Sequence, residues 1–139
     1  MPTLADAVSK ALSKSKVLWL VLPDERTLPV WYAAAADTAY VVGGPGEQHV
    51  PDLPAALRVI LRDKDTRAAV GPVDAWPVRL ETGSDPWEVA ATALLAARQN
   101  NPPSGLREHW AAECALWAIG FTEPAPDRPA NDETPVATG

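Results

Sequence analysis

Two stretches of this 139-residue chain carry the residue types that could do chemistry. The first is the loop Gly43-Gly-Pro-Gly-Glu-Gln-His-Val-Pro51. Its three glycines permit positive φ and close backbone approach, so exposed amides there can cradle a phosphate or a carbonyl group. The second is the run Leu57-Arg-Val-Ile-Leu-Arg62. On a strand, Arg58, Ile60 and Arg62 share one face while Val59 and Leu61 share the other. That puts two guanidinium groups roughly 13 Å apart on one surface, a spacing that suits an anionic ligand. A plain alternative stands beside each. The loop matches neither the GxxxxGK phosphate loop nor GxGxxG, and it reads equally well as an ordinary connection. The arginines read equally well as a solvated face paired with Asp63, Asp65 or glutamates.

The remaining candidates are few. Neither His49 nor His109 has a second His, Cys or carboxylate at ligand spacing, so no metal site is expected. His49 can titrate near neutrality and meet a phosphate, whereas His109, between Glu108 and Trp110 on a helix, reads as structural. Cys114 is the sole cysteine, which excludes an internal disulfide and any multi-cysteine metal site. Its four-residue spacing from Leu106 and Trp110 makes it a buried spacer rather than a nucleophile.

Composition narrows the classes of partner. The formal charge of −6 and the sequence pI near 4.8 argue against nucleic acid and anionic lipid, whose phosphates need clustered Lys and Arg. No apolar run approaches the roughly 18 residues of a membrane span. With one cysteine and no leader pattern, a reducing, cytoplasmic setting is expected. Six tryptophans against one Phe and two Tyr are unusual, and serve either as core filler or to line a cavity or subunit contact.

The elements that must hold these residues follow from periodicity. Leu4, Val8 and Leu12 recur every fourth residue, predicting an amphipathic helix with Thr3 as N-cap and an exit at Ser13-Lys14-Ser15, laid across one mouth of the strand layer. The run Lys16-Val-Leu-Trp-Leu-Val-Leu22 is apolar on both faces and closes on Pro23-Asp24-Glu25-Arg26, which predicts a buried strand hairpinning into a second over Leu28 to Ala33. Pro29 lacks a donor and belongs at an edge or bulge. A third strand, Thr38 to Val42, completes a meander. A helical turn is expected over Asp52 to Leu57, then strands over Arg58 to Arg62 and Arg67 to Leu80, joined by a turn at Asp63 to Thr66. The second of these is bent at Gly71-Pro72 and kept from a central position by Pro77. Asp85-Pro-Trp-Glu88 predicts a capped helix running to about Arg98 with Trp87, Ala90, Ala91, Leu94 and Leu95 as its packing stripe. A further helix from Ser104 and a last strand over Ala115 to Phe121 follow.

Beyond Phe121 the composition changes. Thr122 to Gly139 holds four prolines and four acids against one base, the pattern of a disordered acidic tail. The chain therefore divides into a domain over residues 1–121 and a Pro-rich tail over 122–139. Six strands, mostly adjacent in sequence, with helices at the ends, predict a mainly β fold with flanking helices: a six-stranded antiparallel split β-barrel.

The runs Val17-Leu-Trp-Leu-Val21, Pro29-Val-Trp-Tyr32, Ala39-Tyr-Val-Val-Gly-Gly-Pro-Gly-Glu-Gln48 and Leu57-Arg-Val-Ile-Leu-Arg-Asp-Lys-Asp-Thr66 resemble the pyridoxamine 5′-phosphate oxidase-like, FMN-binding split-barrel family, and within it small actinobacterial members. The resemblance covers about residues 4 to 121. It implies a homodimer with sites at the subunit interface, FMN or the deazaflavin F420 as cofactor, and hydride-transfer chemistry on a small organic substrate. It also implies cofactor contacts from Val30 and Trp31 near the ring system and from Gly46, Gln48 and His49 at the phosphate. Relatives offer Lys or Arg in the phosphate loop, whereas this chain has Glu47, Gln48 and His49 there. A carboxylate beside a phosphate is unfavourable without a compensating cation, so either Arg58 and Arg62 take over there or FMN affinity is lost. Three functions follow as alternatives: a flavin- or F420-dependent oxidoreductase with no catalytic residue assigned, a carrier that binds such a ligand without turning anything over, or a cofactor-free dimer used for protein contacts.

Overall fold

The computed structural model describes residues 3–97 and 105–122. Residues 123–139 of the tail expected over 122–139 and the end of the helix at Arg98 lie outside the described residues, as does the expected helix start at Ser104. Within them the order is α1 (Leu4–Lys14), β1 (Val17–Val21), β2 (Thr27–Trp31), β3 (Ala33–Ala35), β4 (Thr38–Gly43), β5 (Leu57–Arg62), β6 (Ala69–Arg79), α2 (Asp85–Ala97), α3 (Leu106–Glu113) and β7 (Ala115–Gly120).

Closure of the barrel is written into the strand order, β2-β1-β5-β6-β7-β4-β3, all antiparallel. The two ends of that order, β2 and β3, are consecutive in the chain and separated only by Tyr32. One extended stretch therefore pairs β1 with its first half and β4 with its second, and the sheet rolls up into a nearly closed split barrel. The expected six strands become seven because the second divides at Tyr32. Unbroken apolar alternation from Leu28 to Ala33 hides that division.

Prolines sit where their missing donors cost nothing. Pro29 lies on β2, which pairs with β1 alone. Pro77 lies in the second half of β6, which pairs with β7 after β5 has ended its pairing at Ala75. The long, bent β6 thus turns the barrel corner, with a register shift opposite Val59 to Leu61 and a cis bond at Gly71-Pro72.

Two apolar clusters result. The barrel interior gathers Leu18, Leu20, Val30, Tyr32, Val41, Val59, Leu61, Trp117 and Ile119, and α1 plugs it with Val8, Ala11 and Leu12. Thr3 and Asp6 form a reciprocal capping box at the start of α1, and Ser15 ends it. Leu4, expected on the packing stripe, is 61% exposed. The second cluster lies on the outer face of β4 and β7, where Val42 and Leu116 meet Trp87, Ala90, Ala91 and Leu94 of α2 and Leu106 and Trp110 of α3.

Two local expectations are corrected. No helical turn forms over residues 52–57; the segment leads into β5 at Leu57, because Pro51 and Pro54 disfavour helical geometry in the residues before them. The N-cap of α2 is Ser84, whose hydroxyl accepts from the Trp87 amide at 3.3 Å, so Asp85 is already the first helical residue. Glu88 does not close a capping box; its carboxylate pairs with Arg107 of α3, tying the two helices together.

Candidate functional site

An open groove of about 1200 Å³ lies among the described residues. Its floor is the stretch Trp31 to Asp37, where β2 passes into β3 and the turn beyond. One wall comes from α1 and its exit, through Ser9, Leu12, Ser13, Ser15 and Lys16. Ala93, Ala96 and Ala97 of α2 form another, and Gly46, Glu47 and Gln48 close in from the glycine loop. Seven alanines line it, so the surface is smooth, and Trp31 and the backbone of Tyr32 begin the floor.

The polar groups of the groove are largely engaged. Ser9 Oγ donates to Asp37 Oδ1 at 2.7 Å, Ser13 Oγ to the Lys10 carbonyl at 2.9 Å and Ser15 Oγ to the Val17 carbonyl at 3.1 Å. The Tyr32 hydroxyl donates to the Leu12 carbonyl at 3.0 Å, and burial pushes its phenol up to about 12. Among the described lining residues Lys16 is the one cation, and Asp37 and Glu47 are the carboxylates, accepting from Ser9 and Trp110 respectively.

The glycine loop is braced from behind by α3. His109 Nε2 lies 2.7 Å from the Pro45 carbonyl, and Trp110 Nε1 donates to Glu47 Oε2 at 3.0 Å. Gly44, at φ 146°, passes so close to Cys114 that a Cβ there would stand 2.9 Å from its Cα and Sγ. Burial first, then the Glu47 and Glu113 carboxylates, raise the Cys114 thiol, as befits a packing residue at the end of α3. His109 has the structural place expected of it.

Gln48 is a clamp. Its Oε1 accepts from the Trp31 amide at 2.9 Å, and its Nε2 donates to the Trp31 carbonyl at 2.9 Å and the Val42 carbonyl at 3.3 Å. The planar side-chain amide thereby completes the edge of β2 where no strand follows. Of the residues singled out from sequence, Trp31, Gly46 and Gln48 meet in the groove. Val30 points into the barrel core, and His49 is exposed in the loop and does not line the groove. Arg58 lines a smaller cavity with Glu25 and Asp74, and Arg62 stacks 5.5 Å over the Trp19 ring while donating to the Arg67 carbonyl. Neither arginine lines the groove. Sequence reasoning passed over Lys16 and the Ala33 to Ala36 floor. Alanine carries no chemical signal, and Lys16 reads as the edge of a buried strand.

No family model matches the chain, and no curated protein does. Among solved structures it is similar to the crystal structure of HutZ, described as the heme storage protein from Vibrio cholerae. The TM-score is 0.55 at 11% identity, over 85% of this chain and 89% of that one. At that identity the likeness establishes a shared fold. The chain is a mainly β, nearly closed split barrel with flanking helices and an alanine-walled groove.

Proposed function

We propose that this protein is a ligand-binding split barrel whose groove holds a flat organic heterocycle of the flavin or deazaflavin class, FMN or F420, with hydride transfer to a small substrate as the associated chemistry. The observation that carries the reading is the groove itself: about 1200 Å³ of open space floored by Trp31 to Asp37 and walled by alanines, which suits a planar ring lying against backbone. When bound, such a cofactor supplies the redox step; the chain supplies position and shelter. Trp31 and Tyr32 stand at one end of the floor, and Gln48 fixes the Trp31 backbone. Among the described groove residues Lys16 is the cation placed for a phosphate or carboxylate tail, the loop carrying Glu47, Gln48 and His49 where the resemblance implies basic residues.

That HutZ is described as a heme storage protein favours a second reading, a carrier that sequesters a planar ligand without turnover. The lining favours an organic ring over an iron porphyrin, since no His, Cys or Met stands among the described groove residues and the Tyr32 hydroxyl is engaged with the Leu12 carbonyl. A homodimer with cytoplasmic location accompanies the proposal. Among the described residues no helix is long and apolar enough to cross a membrane.

Separate titrations with FMN, F420 and hemin, followed by absorbance and fluorescence, test the reading. Saturable binding of a flavin or deazaflavin is expected, with FMN weakened about two- to fivefold in Lys16→Ala, the scale of one exposed charge. Binding of hemin alone would transfer the groove to the carrier reading. Failure of all three to bind would leave the cofactor-free alternative.

A further inference from the structure

The hydrogen-bond register of the stretch 27–35 leaves one backbone pair facing the groove. Tyr32 donates to the Lys16 carbonyl at 3.1 Å, and Leu22 donates to the Arg26 carbonyl at 2.8 Å, so even-numbered residues of this stretch turn their amide and carbonyl toward β1. Odd-numbered residues turn the other way. Trp31 meets Gln48, and Ala33 and Ala35 meet Tyr40 and Thr38 of β4. Ala34 is therefore directed to the β1 side. There, however, β1 has ended: the position that would continue its register is occupied by the exit of α1, and Ala34 lines the groove.

A precedent for what fills such an edge lies three residues earlier. The Gln48 side chain is a planar N–H/C=O unit, and it docks on the Trp31 amide and carbonyl with two bonds of 2.9 Å. Ala34 offers the same donor and acceptor on the opposite edge. We infer that Ala34 reads a planar amide edge of the groove ligand, its carbonyl accepting a ring N–H and its amide donating to the adjacent ring carbonyl. The ligand class is thereby a heterocycle bearing a cyclic amide or imide, which flavins and deazaflavins have and porphyrins do not. Recognition of this kind addresses the ring, and Lys16 remains the described groove cation for a tail. This inference rests on the proposed ligand-binding reading and specifies its chemistry.

The test compares riboflavin with its N3-methyl derivative on the unaltered protein, by fluorescence titration. Methylation removes the ring N–H that the Ala34 carbonyl accepts, and at least tenfold weaker binding is expected. Ala34→Pro deletes the amide that donates to the ring carbonyl, outside the β3–β4 ladder, and keeps the carbonyl that accepts the ring N–H, so riboflavin and its N3-methyl derivative both weaken and the gap between them persists. Equal affinities of the two for the unaltered protein would overturn the inference and leave groove binding standing. Riboflavin affinity unchanged in a folded Ala34→Pro protein would remove Ala34 as the reader. No binding of riboflavin or of FMN would overturn both this inference and the reading beneath it.

Discussion

At the scale of single residues, the groove is kept in shape by side chains that compete for backbone groups rather than for ligand. Gln48 was legible as a polar residue in a suggestive loop, but its amide is spent on Trp31 and Val42. Type and position alone do not reveal that an edge strand needs a cap there. Gln48→Ala is expected to cost about 1–3 kcal/mol in urea denaturation, because two half-buried carbonyls and one amide lose their partner. Gln48→Glu is expected to cost more, since a carboxylate accepts the Trp31 amide but repels the Trp31 and Val42 carbonyls. Tyr32 couples the groove floor to α1 through its hydroxyl. Its phenol is raised by burial from about 10 to about 12, so the fold favours the neutral form. That contribution is fully present below pH 10 and is lost as pH rises through about 12. Tyr32→Phe should lose about 1 kcal/mol at neutral pH and flatten the alkaline decline of stability between those values, as read from denaturation midpoints across the pH range.

At the scale of elements, periodicity located the helices and strands well and misjudged the joints between them. The α1 stripe, the edge position of Pro29 and the bend of β6 all follow from rules that act within one element. The division of the second strand at Tyr32 does not, because it depends on which neighbour each half meets. The β3–β4 turn carries no glycine or asparagine to announce it. Ala36 and Asp37 both take positive φ, 50° and 61°, the backbone of a two-residue hairpin turn that favours Asn and Gly. Asp37 is held by Ser9 from α1, which gives the strained turn a fixed place at the groove. Ala36→Asn should relieve that strain and raise stability by about 1 kcal/mol, moving the urea midpoint upward with an unchanged slope. A lower midpoint would show that the alanine packs in a way the turn chemistry does not capture.

At the scale of the whole molecule, the barrel closes because one stretch of chain bridges both ends of its own sheet, and the groove exists because that bridge leaves an edge uncovered between α1 and α2. The barrel class was readable from strand number and proline placement. The groove was not, since its floor is built from alanines whose significance lies in where their backbone points. The shared fold with HutZ supports the architecture at an identity too low to carry a ligand across. The account stands on the groove being the place where a planar heterocycle binds. The most direct measurement is a ¹⁵N–¹H correlation spectrum of the isotopically labelled protein recorded during addition of FMN. The account predicts saturable shifts concentrated at Trp31 to Asp37 and at Gly46 to Gln48, with the Ala34 amide moving most. Shifts gathered instead around Arg58 and Asp74, or a spectrum that FMN leaves unchanged, would contradict it.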